Sequence, residues 1–300
     1  MTEEFVQQAS PDEVFAALSN DTRVGILQAL QAADSHEAAF STLREAVGVE
    51  DPGQFNYHLG ELTGRFVRKT ETGYRLTQAG KQMAGALASG AYTVEGRFDP
   101  LTLDAPCQAC GGTQTLAYED EAVRIECESC PATTAFAVPP AVFAECDREE
   151  IPAIASRYLR ATMDLQYNGF CSYCNSRVQQ TVAALSALEL PDRVPDGALD
   201  DVVEDPASTP WVQFDCQRCG ATASANLAGV LLSHPAVAGF YYRHGIDVSE
   251  HPVWSFPPID SLELDVPSRD PLRASVTYRE GDDACRIVVD ERLQVVETDC

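Results

Sequence analysis

Eight of the eleven cysteines in this 300-residue chain fall into four Cys-x-x-Cys pairs: Cys107/Cys110, Cys127/Cys130, Cys171/Cys174 and Cys216/Cys219. A two-residue spacer lets both thiolates of a pair converge on one point. The first four cysteines form the C-x2-C-x16-C-x2-C pattern of a four-cysteine zinc site and predict a zinc ribbon. The second four are separated by a longer, 41-residue insert. They predict a second four-cysteine site, with cross-pairing among the four knuckles left open; for the first four, redox dithiols are the other use of the spacing. Four thiolates saturate Zn²⁺, so the two ions expected here are structural rather than catalytic. Cys146, Cys285 and Cys300 are left over and are expected to be unligated thiols.

Catalytic patterns are missing. There is no His-Glu-x-x-His, no His-x-Glu…Cys-x-x-Cys, no Gly-x-Ser-x-Gly and no Gly-rich phosphate loop, and His36, His58, His234, His244 and His251 are scattered. No catalytic residue is assigned, and a non-enzymatic protein is expected.

The elements that must position the cysteines read as strands and helices. Residues 115–118 and 123–126 are expected strands between the first two knuckles. Residues 177–185 read as strand or helix, and an acidic, Pro/Asp-rich loop is expected from Pro191 to Pro210. An internal echo supports two separate sites. The stretch from Cys127 to Val138 aligns with that from Cys216 to Leu227, and residues 154–160 echo 237–243 as helices, so the half reads as a duplicated ribbon-plus-helix unit. Phe240, Tyr241, Tyr242, His244, Trp254 and Phe256 either line an effector pocket or pack a helix onto the ribbon. The tail reads as strands at 273–278, 285–289 and 293–296 around a turn at 280–283.

No cysteine precedes residue 107, and the first ninety-odd residues are mostly helical in pattern. Ser10 before Pro11 starts a helix, Asn20 restarts one, and Gly48 stops a short one that begins at Ser41. Pro52 opens another, in which Phe55, Leu59 and Leu62 recur at helical spacing up to Gly64. Residues 66–69 and 74–76 read as a hairpin, and Thr77 caps a last helix to about Ala91. That order is the order of a winged helix-turn-helix, whose three-helix core lets the helix after the turn enter a major groove while the hairpin follows the backbone.

Leu18-Ser-Asn-Asp-Thr-Arg23 followed by Ile26-Leu27 resembles the opening of ArsR-type transcriptional repressors. Gln54-Phe-Asn-Tyr-His-Leu59, Phe66-Val67 and Tyr74-Arg-Leu-Thr77-x-x-Gly80 resemble that family's recognition helix, wing and last-helix start. The resemblance covers about residues 10–85, and the whole chain resembles acidic haloarchaeal regulators of this kind. It implies that Gln54, Asn56, Tyr57 and His58 face the groove and that Arg65, Arg68, Lys69 and Arg75 contact the DNA backbone. It also implies double-stranded DNA as partner and a homodimer. The cysteines that metal-sensing members carry before the turn are missing from Leu43-Arg-Glu-Ala-Val47, so the inducer does not carry over.

Charge bears on this reading. Lys plus Arg number 21 against 46 Asp plus Glu, a net of −25, and only Lys69 and Lys81 are lysines. Such a surface suits a cytoplasm at molar salt, an acidic mesophile protein being the other source of it. Residues 1–92 carry seven bases and twelve acids, residues 93–300 fourteen and 34, whereas residues 40–80 balance at five and five. The expected reading head is thus the least acidic stretch. At high salt, counterion release contributes little to affinity, so base-edge contacts, shape and dimerisation must carry it.

Taken together, an α+β chain is expected: a winged helix-turn-helix over residues 1–95, a zinc ribbon plus helix over 96–165, a second zinc-ribbon-like unit plus helix over 166–250, and a C-terminal antiparallel β segment over 251–300. The function read from this is sequence-specific transcriptional regulation, with the zinc-stabilised half as a sensing or interaction module. The alternative is a basal-transcription or RNA polymerase accessory factor, since a winged helix followed by a zinc ribbon resembles the archaeal transcription factor E α subunit. The acidic Met1-Thr-Glu-Glu start and the want of an 18-residue apolar run lead to the expectation of a cytoplasmic protein with no membrane partner.

Overall fold

A computed structural model describes residues 10–187, 209–257 and 261–300. The expected acidic loop at 191–210 lies, but for its last two residues, outside them, as does Met1-Thr-Glu-Glu. The described fold is mixed α+β, with eight α-helices and four antiparallel sheets among the described residues. It divides into two compact units, the first ending at Val94 and the second beginning at Glu95. Residues 96–165, 166–250 and 251–300 all fall in the second.

The first unit runs α1 (Pro11–Leu18), α2 (Asp21–Ala32), β1 (Glu37–Ala38), α3 (Phe40–Val47), α4 (Pro52–Leu62), β2 (Val67–Lys69), β3 (Tyr74–Leu76) and α5 (Gln78–Ala88). Side-chain caps fix three helix starts: Asn20 accepts from the Arg23 N–H, Asp51 from Gly53 and Gln54, and Thr77 from Gly80. Each such cap is worth about 1 kcal/mol. Ile26, Leu27 and Leu30 of α2 meet Leu43, Phe55, Leu59, Leu62, Phe66, Val67 and Leu76 in one core. A Cβ at Gly80 would lie 2.1 Å from the Phe66 carbonyl oxygen, so the last helix approaches the hairpin only because this residue has no side chain. The two-residue β1 pairs with β3 and completes a sheet of order β1-β3-β2; it has no periodic pattern to be read.

The second unit begins with β4 (Phe98–Thr102), β5 (Gln114–Glu119), β6 (Ala122–Cys127) and β7 (Thr133–Ala137), paired in that order. After α6 (Ile151–Tyr167) come β8 (Val178–Ala184), β9 (Pro210–Cys216) and β10 (Thr222–Asn226), then α7 (Leu227–Leu231) and α8 (Pro235–Arg243). Residues 177–185 are therefore strand in the main. A meander of β11 (Leu262–Arg269), β12 (Leu272–Glu280), β13 (Asp283–Asp290) and β14 (Val295–Asp299) closes the chain.

Two cores hold the second unit. One joins Val182, Val212 and Phe214 of the antiparallel β8–β9 pair to α7, α8 and the inner face of β12–β13. The other joins β5, β6 and Phe136 to Ile151, Ala155 and Trp254. Helix α6 serves both, with its first turns in the second core and Met163 and Tyr167 against the first. Four of the cluster's six residues are packing: Phe240, Tyr241 and Phe256 are buried in the first core, Tyr241 lying 4.9 Å from Phe256, while Trp254 stacks on Phe136; Tyr242 is exposed.

Candidate metal centres and nucleic-acid interface

Cys127 and Cys216 end β6 and β9, whereas Cys107/Cys110 and Cys171/Cys174 lie in the turns that lead into β5 and β8. The Cys107 N–H donates to the Gly112 carbonyl and the Gly111 N–H returns to the Cys107 carbonyl. The same reciprocal pair recurs at Cys171 with Ser176 and Asn175, and at Cys216 with Ala221 and Gly220. Closing this turn needs a left-handed residue after the second cysteine, supplied by Gly111 (φ 72°), Asn175 (φ 57°) and Gly220 (φ 75°). The remaining knuckle carries Pro131 there and closes by a bond from the Cys127 N–H to the Ala132 carbonyl alone.

These turns bring the sulfurs together in two fours. Cys107 Sγ lies 3.7 Å from Cys130 Sγ and Cys110 Sγ 3.5 Å from Cys127 Sγ. Cys171 Sγ lies 3.7 Å from Cys219 Sγ and Cys174 Sγ 3.4 Å from Cys216 Sγ. Within each four, all sulfurs are inside 4.8 Å of one another. Four sulfurs bound tetrahedrally at ~2.3 Å stand about 3.8 Å apart, whereas a disulfide needs ~2.05 Å. The two clusters fit zinc-ribbon modules, and each could hold one metal ion. Cross-pairing of the knuckles does not occur.

Electrostatics favour a cation at both places. The Ser129 N–H, 3.4 Å from Cys127 Sγ, holds that thiol down at about 7. The N–H groups of Cys219 and Arg218 hold Cys216 at about 6. Against the pull of the Ala221 N–H, the neighbouring Cys216 sulfur and burial push Cys219 up to about 12. Four thiolates together therefore require a positive charge between them, which Zn²⁺ would supply.

The two modules share one topology. In each, a knuckle leads into a strand, an antiparallel partner strand ends at the second knuckle, and a third strand pairs with that partner. Gln114, four residues after Cys110, is in register with Cys127, and Val178, four after Cys174, is in register with Cys216.

Of the three leftover cysteines, Cys146 is a half-buried thiol donating to the Phe143 carbonyl. Cys285 and Cys300 are joined in a disulfide, contrary to the expectation of free thiols. The β13–β14 register sets Arg286 opposite Asp299, which brings the two cysteines face to face, and no spacing rule reveals that register beforehand.

In the first unit, α4 turns Phe55, His58, Leu59 and Leu62 into the core and leaves Gln54, Asn56 and Tyr57 outside, Tyr57 being 59% exposed. His58 departs from the outer face expected of it: it is 9% exposed and sits on the core side, three residues after Phe55. Its ring stands edge-on to Tyr57 at 5.2 Å. Arg65, Arg68, Lys69 and Arg75 are all exposed on or beside the hairpin. Register places Arg75 between Arg68 on one side and Glu37 on the other. Hydroxyls of Thr72 and Thr70 donate to the Glu37 carboxylate and, with Arg75, hold its pKa below the usual value against the effect of burial. Glu37, a residue sequence reasoning passed over, thus braces the hairpin.

No described helix is long and apolar enough to cross a membrane. A family model described as a domain of unknown function (DUF7351) matches residues 104–295, and one described as a domain of unknown function (DUF7347) matches residues 11–87. No curated protein matches the chain.

Proposed function

The chain belongs to the DUF7351 family; on the geometry of its first unit we propose that it is a sequence-specific, duplex-DNA-binding transcriptional regulator of ArsR-like type. Its first unit acts as a winged helix-turn-helix. The observation that carries this reading is the outer face of α4. Gln54, Asn56 and Tyr57 stand clear of the core on a helix whose other side is fixed by Phe55, Leu59 and Leu62, beside a hairpin bearing Arg68, Lys69 and Arg75. Gln and Asn side chains pair bidentately with adenine in a major groove, and exposed guanidinium groups on the hairpin meet phosphates.

The reaction to DNA is one of docking, not chemistry. The Asp51 cap sets the start of α4, the core sets its angle, and the polar face supplies the base contacts. A second copy would double the readout and set half-site spacing at about one helical turn. Phe15 on α1 and Tyr92 after α5 are exposed aromatic residues of the same unit that such a copy would cover. The two four-cysteine modules hold structural zinc and form the framework of a sensing or protein-contact half.

The test is a gel-shift and footprint of the full chain on its own upstream region at molar KCl, beside Gln54→Ala and Asn56→Ala. A bounded footprint lost in both variants supports the proposal. Binding to RNA polymerase with no sequence-selective footprint would instead identify an accessory factor acting through protein contacts.

A further inference from the structure

The two metal modules are built alike but tipped differently, and the difference lies at equivalent positions. Arg177, three residues after Cys174, corresponds to Thr113, three after Cys110. Gln217 and Arg218, following Cys216, correspond to Glu128 and Ser129, following Cys127, and Tyr173 corresponds to Ala109. Metal binding alone therefore does not demand an arginine or an aromatic residue at these places, since the first module reaches the same sulfur geometry without them.

In the second module Arg177, Gln217 and Arg218 share one surface. A shallow depression is lined by Ser176, Arg177, Gln179, Gln217 and Arg218. Among the described residues, neither guanidinium has an ion pair or a side-chain hydrogen bond. In a chain with 46 acids and 21 bases, two arginines bordering one depression make a local concentration of positive charge. The nearest acid in register, Asp215 opposite Gln179, has its carboxylate taken by the Gln213 amide at 2.9 Å. Tyr173, between the cysteines of the same knuckle, is 65% exposed, with Phe170 outside the knuckle and bridged to Arg177.

We propose that this tip binds a single-stranded segment of nucleic acid, Arg177 and Arg218 holding phosphates and Tyr173 stacking on an unpaired base. Guanidinium groups beside a solvent-facing ring are the pair of features that grip a strand without reading its sequence. An exposed ring on the knuckle that leads to Arg177 suits a splayed base better than a closed duplex groove. The contact is separate from the α4 face of the first unit and does not depend on it.

The test uses the metal-loaded full chain and a fluorescein-labelled 20-nucleotide oligothymidylate, read by anisotropy over a salt series. Arg177→Glu/Arg218→Glu should weaken binding at least about tenfold and flatten the slope of log affinity against log salt by about 1.4. Tyr173→Leu should weaken it about five- to a hundredfold. Thr113→Glu/Ser129→Glu in the first module should leave it unchanged. Arg177→Gln/Arg218→Gln serves if the reversal disturbs folding, and metal content and thermal unfolding are measured for every variant. No binding by the unmodified protein, undiminished binding in the arginine variants, equal loss in the first-module variant, or displacement by polyglutamate as effective as by unlabelled oligothymidylate would each overturn the proposal.

Discussion

Arg68 and Arg75 face each other in register on the adjacent strands β2 and β3, two guanidinium-bearing residues on one side of a short hairpin. Like charges directly opposite destabilise a sheet, and Glu37 relieves Arg75 from only one side. The arrangement makes sense for a surface that meets an anion. Arg68→Gln should therefore raise the stability of the free protein by about 0.2–1 kcal/mol in thermal unfolding. The same change should lower duplex affinity and flatten its salt slope by about 0.9. Stability and affinity moving in the same direction would contradict a phosphate-contact role.

Metal analysis of the reduced protein should give two ions per chain, falling to one in Cys127→Ser and to one in Cys216→Ser. Apparent binding free energies of structural zinc run to about 10–16 kcal/mol, as large as the whole stability of a typical domain. Chelation should accordingly abolish the near-ultraviolet signal of Trp211 and Trp254, which lie in the second unit. Reduced protein that is folded and free of metal would refute the ribbon assignment.

His244 ends α8 with Nδ1 on the Phe240 carbonyl and Nε2 3.0 Å from the Asp283 carboxylate. The Phe240 carbonyl first, then Asp283, and at longer range Glu280, raise its pKa above 6.5. A raised folded-state value means that the contribution to stability is fully present below about 6.5, the unfolded value, and is lost as pH rises through the folded value. An NMR titration should place this histidine above 6.5, and Asp283→Asn should bring it down and reduce the corresponding slope of stability with pH. A titration at or below 6.5 would contradict the contact.

Tyr278 is fully buried at the centre of β12, its hydroxyl donating to the Ala228 carbonyl at 2.8 Å. Tyr278→Phe leaves that carbonyl without its partner and should cost about 1–3 kcal/mol in denaturant unfolding. A neutral substitution would show that the bond to α7 does not hold the helix on the sheet.

The parts legible in the sequence were those set by local chemistry. Asn20, Asp51 and Thr77 announce helix starts because a capping side chain bonds within three residues, and Gly48 ends α3 in the left-handed conformation that the residue type permits. The sulfur clusters were legible because a two-residue spacer fixes where a pair of thiolates can point. What depends on partners far along the chain was not. Strand β1 is two residues long, Cys285 meets Cys300 only through the register of β13 with β14, and β11 takes its place from β12. His58 shows the limit within one helix. Its spacing from Phe55 and Leu62 places it with the core, whereas a motif of consecutive polar residues draws it onto the outer face with Tyr57.

The central claim is that the α4 face selects duplex sequence in spite of a net charge of −25. Its most direct measurement is selection by the full-length, metal-loaded protein from a pool of randomised duplexes at molar KCl, in parallel with Gln54→Ala/Asn56→Ala. The account predicts convergence on a single two-fold symmetric site for the unmodified chain and none for the variant. A pool that stays random after repeated rounds, or one that converges equally with both proteins, would contradict it.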